Sequence, residues 1–424
     1  MAIFADLPNE IVDAICANLR DGSVYDAKLK AGLHGLCLSS RRYHEIALPH
    51  LYCNISVSSI KAGPFALTIC DNQNLADLIH TIHLEYDYEV QDEADQKARD
   101  QFVEQLSPRT KLALSPADEE EDASEDASNA TEDEAFNDQL VCTVFSKLRN
   151  LEKLDMCVYF GDHMPIRFKT HVLSQQKPVL PNLKEVLLSH WDTEGGFSME
   201  EVFQMLEVTK VRKLNAHMCA DFGDDFTKPW NLSSVREIDI RYSCLEENSF
   251  QCLVRCCPKL EELVYISADA SQYTNGEAST YQISHALRPL TGSLSSLEID
   301  QRERCRVGLR RDEMEPTDSL KSFTKLRHLA ICQFSLTRED TRGADDDDEE
   351  LEDDSKALPP FLQKLPSSLE TLHIMDVTEA ITMELTKLAK VAAEEFPNLK
   401  EVMVDKELGL KDLFQAKSIK FVVR

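Results

Sequence analysis

The sequence predicts an α/β chain in which a short all-α unit precedes a solenoid, with parallel strands on a concave face and helices on a convex one. Three observations carry that reading. Residues 7–52 set apolar side chains at helical spacing, and beyond about residue 79 a Leu-x-x-apolar-x-apolar pattern keeps returning. Between the copies lie amphipathic stretches of helical period. The expected division is 1–55 for the helical unit and 56–424 for the array.

The helical unit opens with Leu7-Pro8-Asn9-Glu10-Ile11. Pro8 suits the first turn of a helix, where a missing N–H costs nothing. Ile11, Ile15 and Leu19 recur at i, i+4 and i+8 and make one apolar stripe. A second helix is expected over about 33–47, with Leu33, Leu36, Tyr43, Ile46 and Ala47 on its apolar side, after a loop over 20–32. So small a unit buries too little surface to stand alone, and part of its stripe should face a partner. With Pro49-His50-Leu51-Tyr52 at its end, the stretch 6–52 resembles an F-box, the motif that docks on the Skp-type adaptor of cullin-RING ubiquitin ligases. The resemblance implies that Leu7, Pro8, Ile11, Ile15, Leu19, Leu36, Leu51 and Tyr52 contact the adaptor, with Leu7 and Pro8 at the signature positions. The competing reading is a helical cap that closes the apolar end of a repeat array.

The repeat is plainest in Leu183/Val186/Leu188, Leu260/Leu263/Tyr265 and Leu399/Val402/Val404, each preceded by Pro. Looser copies are Leu151/Leu154/Met156, Val211/Leu214/Ala216, Val235/Ile238/Ile240, Leu294/Leu297/Ile299, Leu326/Leu329/Ile331 and Leu369/Leu372/Ile374. A worn copy lies near Ile79/Ile82/Leu84, and Ile419/Phe421/Val423 suggests a last strand. First positions of the nine clear copies are 32, 28, 24, 25, 34, 32, 43 and 30 residues apart, a period that resembles leucine-rich repeats. The last apolar pair alternates along a strand and points inward, and the first residue turns the chain into it. Helical stripes follow at Met199/Val202/Phe203/Leu206, Phe250/Leu253/Val254/Cys257 and Ile381/Leu385/Leu388/Ala392. No such unit closes its own core, so the copies must stack. An F-box followed by leucine-rich repeats is itself a familiar architecture.

Charge is concentrated. The chain carries a formal net charge of −29, of which residues 116–138 contribute −11 and residues 339–355 contribute −10, leaving −8 elsewhere. Both tracts are expected to be disordered insertions. No Lys/Arg stripe neutralises phosphates, so nucleic acid is not an expected partner. The thirteen cysteines are odd in number, scattered and expected to be reduced; Cys252, Cys256 and Cys257 suit a buried helix face better than a metal. No basic-then-apolar leader opens the chain and no eighteen-residue apolar run occurs, so neither a signal peptide nor a membrane span is expected, and cytoplasm or nucleus is the expected compartment.

Phosphate-binding loops, nucleophile elbows and zinc-protease motifs are all missing from the sequence, so no catalytic residue is proposed. The expected function is a substrate-recognition subunit of an SCF-type ubiquitin ligase. The alternative is a non-catalytic binding scaffold, with the acidic tracts suiting a basic protein partner. Strand-exposed Glu237, Asp239, Arg241, Glu262, Glu298 and Asp300 are the candidate substrate-binding residues. Because acidic residues outnumber basic ones at such positions, no anionic cofactor is expected, and without a Cys-x-x-Cys pair or a spaced His partner no metal is expected either. Long polar segments follow strands, so one rim should collect the insertions and mark the binding side.

Overall fold

The computed structural model describes residues 7–21, 27–58, 62–85, 145–158, 180–190, 196–207, 209–220, 230–267, 277–302, 316–337 and 360–424. The acidic tracts 116–138 and 339–355 lie outside the described residues. Two compact units result, one of Met1–Trp191 with Gln204–Val211, the other of Asp192–Phe203 with Arg212–Arg424.

The first unit begins with three helices, α1 (Asn9–Asp21), α2 (Ala27–Ser39) and α3 (Arg41–Cys53). Val12, Cys16, Leu33, Cys37, Tyr43 and Ala47 form their buried core, with Leu7, Leu19, Leu36, Ile46, Leu48 and Leu51 packed on it. The one helix expected over 33–47 is therefore two. Ser40 breaks it: its backbone is extended and its hydroxyl accepts the Tyr43 N–H at 3.2 Å, capping α3. Much of the expected loop over 20–32 is also helical, because α2 starts at Ala27.

α3 runs straight into strand β1 (Asn54–Ser58), followed by helices α4 (Ala62–Asp71) and α5 (Gln73–Ala76) and by β2 (Thr81–Glu85), β3 (Lys153–Val158) and β4 (Glu185–His190). These strands form a parallel row in register, Asn54 beside Thr81, Thr81 beside Lys153, and Lys153 beside Glu185. β1 is an unexpected copy of the repeat, with Ile55 and Val57 aligned to Ile82 and Leu84.

The second unit repeats the design. Strands β6 (Lys213–His217), β8 (Glu237–Ser243), β9 (Glu262–Ser267), β10 (Ser296–Asp300), β11 (His328–Cys332), β12 (Thr371–Met375), β13 (Glu401–Val404) and β14 (Lys420–Val423) are parallel neighbours in that order. A short pair, β5 (Phe197–Ser198) with β7 (Cys219–Ala220), stands apart from them. The inward residues of every clear copy are buried. Two successive N–H groups at the start of a strand converge on one carbonyl of the preceding repeat, as Glu261 and Glu262 do on Arg236, and Lys400 and Glu401 on Glu370. That clasp fixes register from copy to copy. The helix Glu247–Cys256 buries Phe250, Leu253 and Val254, and Phe250 meets the Tyr265 ring edge-on at 5.0 Å. Cys252, Cys256 and Cys257 are buried free thiols. The helix Thr382–Glu395 likewise buries Leu385, Leu388 and Ala392.

Because the strands are parallel, the chain leaves each unit's sheet from one edge. In the second unit it does so after Ser267, Asp300 and Cys332.

Candidate functional site

Two surfaces hold the residues singled out by the sequence. The first is the outside of α1–α3. Ile11 is 48% exposed and Leu38 74% exposed, and Pro8 is exposed as well. Ile15 and Tyr52 are half-buried, whereas Leu7, Leu19, Leu36 and Leu51 lie partly against the core. The core of α1 is carried by Val12 and Cys16, one position beyond Ile11 and Ile15, so the stripe Ile11/Ile15/Leu19 lies at its margin. Arg42 donates to the Leu7 carbonyl and to Asn9 Oδ1, and lies over the Tyr43 ring at 5.5 Å. His50 Nε2 meets Asp13 Oδ1 at 2.8 Å, joining α3 to α1.

The second surface is the open face of β8–β10, opposite the packed helices. Asp239, Arg241, Glu298 and Asp300 gather there with Arg302. Arg241 grips Asp239 through both carboxylate oxygens, at 2.7 and 3.0 Å. Arg302 grips Asp300 in the same way, at 3.0 and 2.7 Å. Burial raises the Asp300 carboxyl, but the Arg302 side-chain and backbone hydrogen bonds win and hold it below the usual range. Glu298 is pushed up instead, first by burial and then by Asp300 and Asp239, against the pull of Arg241. Farther along the face the imidazole of His373 is pushed down, first by burial and then by Arg424. Glu237 and Glu262 fall outside this group. They stand side by side at the start of their strands, where Glu237 pairs with Lys213 at 3.5 Å.

The model for the leucine-rich repeat domain matches residues 161–420, more than half of the chain. The chain belongs to the leucine-rich repeat family. No curated protein matches it. Among solved structures it is similar to one titled "Crystal structure of Rad7 and Elc1 complex in yeast", with 10% identity, 98% of this chain and 93% of that chain covered, and a TM-score of 0.33. So loose a likeness carries no argument about this chain. Membership of the family makes the chain a protein-binding scaffold.

Four further features of this leucine-rich repeat chain lie outside the candidate residues named from the sequence. Arg302 was signalled by a repeated Asp-x-Arg, at Asp239/Arg241 and Asp300/Arg302. Tyr242, 51% exposed, adopts φ 51° at a shift of register between β8 and β9, and its ring stands edge-on to His217 at 6.4 Å. Only an alignment of copies reveals it, because Met218 (φ 59°) and Asp376 (φ 53°) occupy the same position of their repeats. In the first unit, His83 Nδ1 pairs with Asp155 Oδ2 at 2.9 Å, and Ser56 stands opposite His83 in the register. An open cleft of about 350 Å³ lies along the starts of β1–β4, lined by ion pairs such as Lys153–Glu185 and Lys184–Glu152.

Proposed function

We propose that this chain is the substrate-recognition subunit of an SCF-type ubiquitin ligase. Residues 1–55 act as an F-box that docks on a Skp-type adaptor and through it on a cullin, and residues 56–424 bind a protein substrate. The observation that carries this reading is the three-helix unit α1–α3, which has its own core yet leaves Pro8, Ile11 and Leu38 of the F-box-like stretch in solvent. Apolar side chains that a small helical unit does not bury are what a partner would cover. The chain then does no chemistry of its own; it raises the effective concentration of substrate near the ubiquitin carrier.

The direct run of α3 into β1 favours a second reading, in which the helices only cap the repeat sheet. Co-expression of the full chain with a Skp-type adaptor and a cullin separates the two. The ligase reading expects a ternary complex that forms with wild type and fails with Leu7→Ala/Pro8→Ala; recovery of the chain alone, from a properly folded preparation, would leave the cap reading.

A further inference from the structure

Across β8, β9 and β10 the register sets Asp239 beside Val264 and Val264 beside Glu298, and likewise Arg241 beside Ile266 and Ile266 beside Asp300. The outer strands thus carry charge, while the middle one offers half-exposed aliphatic side chains. Neighbouring strands are ~4.8 Å apart, so the two charged walls stand ~9.6 Å apart. One extended side chain fits between them, lying on Val264 and Ile266.

The charges on those walls are not equivalent. Asp239 and Asp300 are each held through both oxygens by the arginine two residues later. Each clamp already balances its arginine with a carboxylate, so an anion gains little at Arg241 or Arg302. Glu298, although half-buried, makes no hydrogen bond and no ion pair among the described residues. A desolvated carboxylate with unused lone pairs gains most from a cationic donor. Tyr242 stands at the end of β8, next to Arg241, and offers the kind of side chain that anchors interfaces.

We infer that this groove takes a single Lys or Arg side chain of a partner protein, with its stem on Val264 and Ile266 and its cationic head at Glu298. The inference rests on the reading of the open face as the substrate surface.

The test is fluorescence anisotropy of the full chain with a short labelled peptide of alternating Ser and Lys, and with the same peptide acetylated at every Lys. Wild type should bind the first and not the second. Glu298→Gln, which removes one charge and no hydrogen bond, should weaken binding about ten-fold. Val264→Lys, which puts a competing ammonium into the groove from a half-exposed position, should weaken it at least as much. Equal binding by wild type and Glu298→Gln, or equal binding of the acetylated peptide, would overturn the inference. A general attraction to the acidic tracts would give the first of those results. Ile11→Asp, aimed at the adaptor surface, should leave the peptide affinity unchanged, so a failure here and a failure of the ligase reading appear in different variants.

Discussion

Arg42 reaches from the start of α3 to Asn9 at the start of α1, donating from Nε to Oδ1 at 2.7 Å. A second bond, from Nη2 to the Leu7 carbonyl, ties down the segment that carries Leu7 and Pro8. Arg42→Ala removes both and leaves the apolar core untouched. It should cost the helical unit about 1–3 kcal/mol, the worth of hydrogen bonds from a charged donor. Amide exchange across α1 should quicken while exchange in β8–β13 stays as in wild type. Unchanged protection in α1 would show that Leu7 and Pro8 are placed by packing alone.

Tyr242 tests the cost of left-handed backbone. A side chain at φ 51° costs about 1–2 kcal/mol, a penalty that glycine avoids and alanine does not. Urea denaturation should therefore find Tyr242→Gly more stable than Tyr242→Ala by about 1 kcal/mol. An alanine variant as stable as the glycine variant would mean that the conformation is not strained.

The repeats were legible because their pattern is dictated by packing. At every clear copy the three apolar positions are buried, from Leu151/Leu154/Met156 to Leu399/Val402/Val404, and no local signal competes with them. β1 is hidden in the sequence because Tyr52, Ile55 and Val57 fall where the F-box-like pattern ends, so the helical stripe and the repeat share one short run of residues. The break at Ser40 is masked because Leu36, Tyr43 and Ala47 hold helical spacing across it, while the cap depends on a single hydroxyl. In the candidate site, alternation along the strands put Asp239, Arg241, Glu298 and Asp300 on one face. Which carboxylate is left without a partner depends on the Arg302 rotamer, and no sequence pattern reports that.

Glu298 and Asp300 should titrate stability in opposite senses. The groups around Glu298 are Asp239 and Arg241 on β8 and Asp300 and Arg302 on and beside its own strand, with Val264 and Ala330 facing it from β9 and β11. Its folded pKa is raised above the ordinary 4.5 by burial, so the folded state favours the proton and the ionised form costs stability at higher pH. Glu298→Gln should melt above wild type at neutral pH, and the gap should close as pH falls towards 4.5. Asp300 is depressed below 3.8, so its contribution is present above that value and is lost as pH falls through its folded value. Asp300→Asn should melt below wild type at neutral pH, with the gap closing only in that more acidic window. Thermal melts of both variants between neutral and acidic pH decide the matter; parallel curves would rule out the assigned partners.

Docking on an adaptor through α1–α3 is the central claim. Leu7 is a blunt probe of it, because it packs partly on the core of the helical unit. Ile11 and Leu38 are better ones, being 48% and 74% exposed. The most direct measurement is calorimetric titration of the full chain with a purified Skp-type adaptor, comparing wild type with Ile11→Asp and Leu38→Asp. The prediction is saturable one-to-one binding by wild type and a loss of more than about 2 kcal/mol in at least the Ile11→Asp variant, with melting temperatures unchanged. An adaptor that does not bind wild type, or binds all three chains equally, would contradict the account.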